Sequence, residues 1–171
     1  MTFPKMMLAG ACLCMSALPL AAQTGLNSTD KQFMTMAAQA DMTEAHLGQM
    51  AQAQGTDADF KNFGQTLTQD HTKAYEELSV LSGKTGESIP KGIDVGKDAA
   101  IRQMTKMKGR SFESTFLRHE IQDHERVLAA FKHEAAHGQN ADVKSYAQKM
   151  LPTVEEHLHE AQKLAKSEGH A

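Results

Sequence analysis

The chain has 171 residues and a formal net charge of −3, a length that suits one ordinary domain. It contains no basic cluster with interleaved aromatic residues, so nucleic-acid binding is not expected. Both cysteines, Cys12 and Cys14, fall within the first 22 residues, and the rest of the chain must be held together by its core rather than by disulfides.

Residues 1–22 are typical of a secretory signal peptide. Lys5 supplies a positive start, residues 6–20 form a short apolar run, and Ala21 and Ala22 provide a cleavage point. The run is too short to predict a membrane span, and no second apolar span follows it. Lipidation at Cys12 is the alternative. We therefore expect an exported bacterial protein of the periplasm or cell envelope, with one domain over residues 23–171.

Two long helices are predicted in the first half of this domain. The sequence is rich in Ala, Gln, Glu, Lys, Met and Leu, which favour helix, and it lacks the alternating β-branched runs typical of strands. Helix 1 is expected over residues 30–54, ending at Gly55, and helix 2 over residues 57–81, stopped by Gly83. In both, apolar residues recur at steps of three and four, as in a helix bundle.

The second half predicts a long crossover followed by a second helical hairpin. Glycine and proline residues punctuate the stretch 83–96, and residues 98–108 predict a short helix. Two further long helices are expected over residues 111–137 and 141–167. The pattern predicts an all-α protein, an antiparallel four-helix bundle with a short extra helix in the crossover.

One titratable residue lies on the apolar stripe of each long helix: Glu44, His71, His124 and His157. Burying such groups is costly unless they are paired or bound to a ligand. Within each hairpin, the two residues lie at similar distances from the connecting turn, with a mismatch of roughly 4–5 Å along the axis. Pro152 is expected to kink the last helix and so to influence where the imidazole of His157 points.

These four residues predict a metal site in the bundle core. Neutral imidazoles and a carboxylate suit one divalent transition metal ion, and the sequence does not choose between zinc, iron and copper. Glu120, one turn before His124, is placed to add an oxygen ligand, which would favour iron or manganese. The alternative is a metal-free structural or envelope-interaction module, in which the buried histidines and glutamate form a polar network.

Neighbouring residues limit the reaction classes. Three residues before each core histidine, the chain has Thr68, Ile121 and Val154 instead of glutamate. The Glu-x-x-His pairs of di-iron bundle proteins are therefore missing. A ferroxidase or di-iron oxygenase is therefore not expected. Asp70 and Asp123 directly precede core histidines, and we interpret them as supporting or inter-helix contacts rather than ligands. No catalytic residue is identified, so a binding protein is favoured over an enzyme, and protein partners are not predicted.

Short motifs accompany the polar core residues along the chain. They are Asp-Lys-Gln-Phe at 30–33 leading to Glu-Ala-His-Leu-Gly at 44–48, the stretch 63–71, Ser-Phe-Glu at 111–113 leading to Asp123-His124, and Tyr-Ala-Gln-Lys-Met-Leu-Pro at 146–152 leading to His157. With these motifs the chain resembles the DUF4142 family, exported bacterial proteins often labelled as outer-membrane proteins. The resemblance implies a ferritin-like helical bundle and supports the four core positions, but it implies no reaction.

Overall fold

The computed structural model describes residues 26–93 and 99–167, and within these ranges the chain forms helices and no strand. The helices are α1 (Ser28–Gln54), α2 (Ala58–Thr85), the short α3 (Ala99–Met104), α4 (Gly109–His137) and α5 (Ala141–Ser167). Across the described part of the chain, none of these helices combines the length and apolar character needed to cross a bilayer. The predicted signal peptide, residues 1–22, lies outside the described residues.

The four long helices pack as an antiparallel bundle. Helix α1 packs mainly on α2, and α4 on α5, and the two hairpins meet where α1 contacts α4 and α2 contacts α5. The start of α4 lies beside the turn between α1 and α2, so the segment that carries α3 connects opposite ends of the bundle. One long crossover of this kind is the ferritin-like arrangement. The predicted all-α four-helix fold with a short helix in the crossover is confirmed.

The end of α2 differs from the prediction. The helix continues past Gly83 to Thr85, and Gly86 ends it with a φ of 73°. The backbone N–H of Gly86 donates to the carbonyl of Ser82 at 2.9 Å. A left-handed conformation at this position favours glycine because a side chain would meet steric strain there. Gly83 has helical backbone instead, so it does not end the helix.

Helices α1 and α2 approach each other closely at two glycines. A Cβ atom on Gly48 would lie 2.5 Å from the carbonyl oxygen of Gly64, and one on Gly64 would lie 2.6 Å from the Cβ of Ala51. These separations are too short for any side chain. The contact therefore requires glycine on both helices, and it fixes the level of α1 against α2. Gly48 lies about one turn from Glu44, and Gly64 lies about two turns from His71.

Two buried carboxylates join the hairpins at opposite ends of the bundle. Near the start of α4, Glu113 accepts hydrogen bonds from the hydroxyl and backbone N–H of Thr56 and from the next backbone N–H, in the turn between α1 and α2. Near the start of α1, Asp30 accepts from the backbone N–H groups of Gln139 and its neighbour, in the turn between α4 and α5. Each hairpin thus holds the turn of the other, which sets their relative level.

The bundle has two apolar clusters separated by a polar layer. The first cluster, towards the α1–α2 turn, includes Leu47, Phe60, Leu67, Phe112, Phe116 and Leu164. The second, towards the α4–α5 turn, includes Phe33, Met34, Leu78, Phe131, Val143 and Val154. On every long helix the predicted polar residue falls between the residues that belong to the two clusters. The four side chains therefore lie at a similar level along the bundle axis.

Candidate metal centre

The four predicted site residues are all buried in this polar layer. Glu44 is 1% exposed, His71 6%, and His124 and His157 2% each. The structure brings the three histidines together into one group. It places the carboxyl group of Glu44 in a second group, with Glu120 and a histidine that the sequence analysis did not consider, His119.

The three histidines face one another. One ring nitrogen of each lies within 4.8 Å of one from each of the others, and the ring centroids are 5.1–5.8 Å apart. Nitrogens bound to one tetrahedral ion at about 2.0–2.1 Å lie about 3.3 Å from each other. Small inward movements of the side chains would bring these nitrogens to the spacing that one metal ion requires.

Among the described residues, each imidazole has one nitrogen with a hydrogen-bond partner and one without. The buried nitrogens without a partner are Nε2 of His71, Nε2 of His124 and Nδ1 of His157. The others lie against oxygen atoms: Nδ1 of His71 is 3.0 Å from Oδ1 of Asp41, Nδ1 of His124 is 3.1 Å from the carbonyl of Glu120, and Nε2 of His157 is 3.0 Å from Oδ2 of Asp70. Such partners are typical of metal-ligating histidines, whose second nitrogen they hold in place.

Burial keeps these imidazoles neutral at neutral pH. Desolvation lowers the pKa of His71 to about 4, and desolvation together with the neighbouring imidazoles lowers the pKa of His124 to about 3. The pKa of His157 is lowered for the same two reasons. Because the partner of His124 Nδ1 is a carbonyl oxygen, that nitrogen carries the proton. Nε2 of neutral His124 is then an acceptor with a free lone pair, buried without a donor.

Asp41 is a member of the polar layer that the sequence analysis missed. It is 4% exposed, contacts His71 through one carboxyl oxygen, and receives a hydrogen bond from the hydroxyl of Tyr146 at 3.3 Å on the other. Burial raises the pKa of Asp41 to about 8, opposed in part by the bond from Tyr146. Its burial could have been predicted from its position three residues before Glu44, because this spacing puts both carboxyl groups on one face of α1.

The second group consists of Glu44, Glu120 and His119. One ligand atom of each lies within 4.8 Å of the others, and Glu120 is fully buried. Among the described residues, none of the four carboxylate oxygens has a hydrogen-bond donor when both groups are ionised, and the two carboxyl groups hydrogen-bond each other when they share a proton. Burial, and then the charge of Glu120, raise the pKa of Glu44 well above its ordinary value, and burial raises that of Glu120 to about 8. Without a cation nearby, these carboxyl groups hold protons at neutral pH.

Two spaces adjoin the histidines. A cavity of about 20 Å³, lined by Asp41, His71, His124 and Tyr146 among others, has room for about one water molecule. On the outer side, a groove between α2 and α5 reaches His157 and is lined by three acidic residues and one lysine. The group is therefore bordered by a small internal space and by a route to the surface.

Comparisons with known proteins agree with the helical architecture. A family model described as "Domain of unknown function (DUF4142)" matches residues 15–164. No curated protein matches the chain. Among solved structures, the fold is similar to the crystal structure of a DUF305 fragment from Deinococcus radiodurans, with a TM-score of 0.72 and 12% sequence identity over 83% of this chain and 99% of that one. At this identity the likeness concerns the fold alone.

Proposed function

The chain belongs to the DUF4142 family, and we propose that it is an exported bundle protein that binds one divalent transition metal ion in its core. The ligands are the unpartnered ring nitrogens of His71, His124 and His157. The family description names no activity, so the proposal rests on the geometry of these side chains.

Two observations carry the proposal. One ring nitrogen of each histidine lies within 4.8 Å of one from each of the others, and each histidine has one buried ring nitrogen without a hydrogen-bond partner among the described residues. A buried acceptor left without a donor costs about 1–3 kcal/mol. For His124 the tautomer is set by a backbone carbonyl, so its free nitrogen must be an acceptor. A single cation compensates such acceptors together, and neutral imidazoles are good ligands for zinc, copper and iron.

The cavity lined by His71 and His124 leaves room for a fourth ligand beside these two imidazoles. Three protein ligands and one water-filled position are typical of metal sites that keep an exchangeable ligand, whereas structural zinc sites are closed by four protein ligands. Since Glu44 groups with Glu120 and His119, we propose three histidine ligands in place of the three histidines and one glutamate expected from the sequence. The cavity volume of about 20 Å³ suits one bound water molecule.

Metal ions reach the site through the groove between α2 and α5. Its lining includes Asp59, Glu156, Glu160 and Lys163, an excess of acidic over basic groups that attracts cations. Asp70, whose Oδ2 lies 3.0 Å from Nε2 of His157, has a side chain that is 43% exposed. This half-exposed carboxylate beside the imidazole gives an incoming ion a first oxygen contact.

The competing function is a metal-free structural or envelope-interaction module. One observation favours it: each imidazole already has one partner, and the contact between Asp41 and Tyr146 extends this network across the core. In that case the histidines specify how the helices pack, and no ion is needed for folding.

Metal analysis of the untagged protein purified from the periplasm separates the two functions. We expect about one transition metal ion per chain bound through the three histidines. Replacement of His71, His124 and His157 by Ala should abolish it, whereas replacement of the exposed pair His133 and His137 by Asn should not. Substoichiometric metal that is the same in both variants would overturn the metal-binding proposal, provided that circular dichroism shows both variants to be helical.

Export is tested separately. We expect cell fractionation to recover the protein in the periplasm or envelope with an N-terminus at Gln23, because cleavage after Ala22 removes the predicted signal. A lipid-modified protein beginning at Cys12 would support envelope anchoring instead. An uncleaved protein in the cytoplasm would overturn export without bearing on the metal site.

A further inference from the structure

We propose that Glu44, His119 and Glu120 form a second cation site, richer in oxygen ligands than the histidine site and adjoining it. It takes a divalent ion that prefers carboxylate oxygen, such as Mn²⁺ or Fe²⁺. This site lies outside the three histidines of the proposed function and stands on its own contacts.

The separations between the ligand atoms suit a bound ion. Nδ1 of His119 lies 4.0 Å from Oε1 of Glu120, which is too far for a hydrogen bond. Three ligands that each lie about 2.1 Å from one ion are about 3.0–3.6 Å from one another, so side chains at these separations must move inwards by less than about 1 Å. With Glu44 on the neighbouring helix α1, the three ligand atoms lie within 4.8 Å of one another. A cation between them therefore needs little movement of the side chains.

Burial of these groups favours a bound cation here. Glu120 and Glu44 are 0% and 1% exposed, and their carboxylate oxygens have no donor within the described structure. Nδ1 of His119 is also buried without a partner, although the side chain as a whole is 22% exposed. A proton shared by the two carboxyl groups would leave that imidazole nitrogen unsatisfied, because it lies beyond hydrogen-bonding distance. A cation satisfies all three groups at once.

The two sites adjoin without sharing a ligand. Oε2 of Glu120 lies 3.4 Å from Nδ1 of His124, whereas Nε2 of His124 is the nitrogen left for the histidine site. The imidazole of His124 thus separates the two ions. This arrangement differs from di-iron bundle proteins, in which inward-facing glutamates and Glu-x-x-His pairs build one shared centre.

Titration of the metal-free mature protein with Mn²⁺ tests the second site. Zn²⁺ is first added to one equivalent to fill the histidine site, and free Mn²⁺ is then followed by its electron paramagnetic resonance signal. We expect the wild type to take up one equivalent of Mn²⁺, and Glu44→Gln to weaken this uptake at least tenfold. Glu134→Gln is the matched control, because Glu134 is an equally buried glutamate without a donor, elsewhere on α4.

The remaining variants keep the two sites distinguishable. His119→Asn should also weaken Mn²⁺ uptake at least tenfold, and its partly exposed position lets it serve if Glu44→Gln does not fold. His157→Ala should lose Zn²⁺ but keep Mn²⁺. The second site would be overturned if the wild type, Glu44→Gln and His119→Asn took up Mn²⁺ equally. It would also be overturned if the wild type took up no Mn²⁺, whether the histidine site was loaded with Zn²⁺ or free of it. Loss of Zn²⁺ binding alone would overturn only the first.

Discussion

The imidazole of His71 is held by the carboxyl group of Asp41, 3.0 Å from Nδ1, on a neighbouring helix. The same carboxyl group receives a hydrogen bond from Tyr146 on α5, so it joins three of the four long helices. A carboxylate on the far nitrogen of a metal-bound histidine fixes the tautomer and raises the basicity of the ligand. The contact therefore orients Nε2 of His71 towards the other two histidines.

Replacement of Asp41 by Asn should weaken metal binding about 10–100-fold, the usual effect of removing such a partner. The amide keeps the size of the side chain but cannot ionise, whereas a cation on Nε2 of His71 favours the ionised form of Asp41. Competition with a chelator of known affinity measures the change. Asp142→Asn, which alters an exposed aspartate paired with Lys84, is the control and should bind metal like the wild type. Equal affinities in all three proteins would contradict this role for Asp41.

Periodicity predicted the helices and the level of the polar residues. An α-helix rises uniformly, so Glu44 and His71, placed symmetrically about one turn, must lie at similar depth. The apolar residues on either side of them then form the two clusters. These features depend only on spacing along the chain, which the sequence contains in full.

The grouping of the side chains could not be predicted in the same way. A stripe with one residue per turn passed over Asp41, although the buried face of a bundle helix is wide enough to include both Asp41 and Glu44. The pairing of Glu44 with Glu120 depends on how α1 is rotated against α4. That rotation, and the relative level of the hairpins, are set by tertiary contacts such as those of Glu113 and Asp30, which leave no periodic signal.

Removal of metal should lower the thermal stability of the wild type. An ion that binds only the folded chain stabilises it, by about 2.7 kcal/mol when its free concentration is 100 times the Kd. Calorimetric unfolding with excess Zn²⁺ and with excess chelator measures the difference. In the variant without His71, His124 and His157, the difference in melting temperature between the two conditions should be much smaller than in the wild type. A wild-type melting temperature that does not respond to Zn²⁺ would contradict this prediction.

Glu113→Gln should destabilise the protein by about 1–2 kcal/mol at pH 7, because a charged acceptor of backbone N–H groups is lost. Hydrogen bonds from Thr56 and Asp57 outweigh burial and lower the pKa of Glu113 below its ordinary value of 4.5. Its stabilising effect is therefore fully present above about pH 4.5 and is lost as the pH falls through the lower folded pKa. Urea unfolding of both proteins at pH 7 and pH 3 should show a difference in unfolding free energy that shrinks in acid.

Glu134→Gln should show the opposite pH dependence. Burial, and then the nearby charge of Asp30, raise the pKa of Glu134 to about 7. The folded state then favours the protonated carboxyl group of Glu134. The stabilisation from this protonated group is fully present below about pH 4.5 and is lost as the pH rises through about 7. The variant should therefore gain stability relative to the wild type between pH 5 and pH 8, as measured by urea unfolding. A constant difference over this range would show that Glu134 does not titrate there.

Alanine at Gly64 and alanine at Gly83 should change stability in opposite directions. Alanine favours helix over glycine by about 1 kcal/mol, and nothing in the described structure lies within 4 Å of a Cβ at Gly83, so Gly83→Ala should stabilise α2 by up to that amount. At Gly64 the new Cβ would meet the Cβ of Ala51 at 2.6 Å and the carbonyl oxygen of Gly48 at 2.8 Å. Overpacking of this kind costs about 1–3 kcal/mol and exceeds the gain in propensity.

Gly64→Ala should also weaken metal binding, since a forced separation of α1 from α2 moves Asp41 away from His71. Urea unfolding gives the stability of both variants, and chelator competition gives their affinity for Zn²⁺. Gly83→Ala, at the far end of α2, should bind Zn²⁺ like the wild type. If Gly64→Ala is as stable as Gly83→Ala and binds equally well, the close approach of the two helices does not position the site.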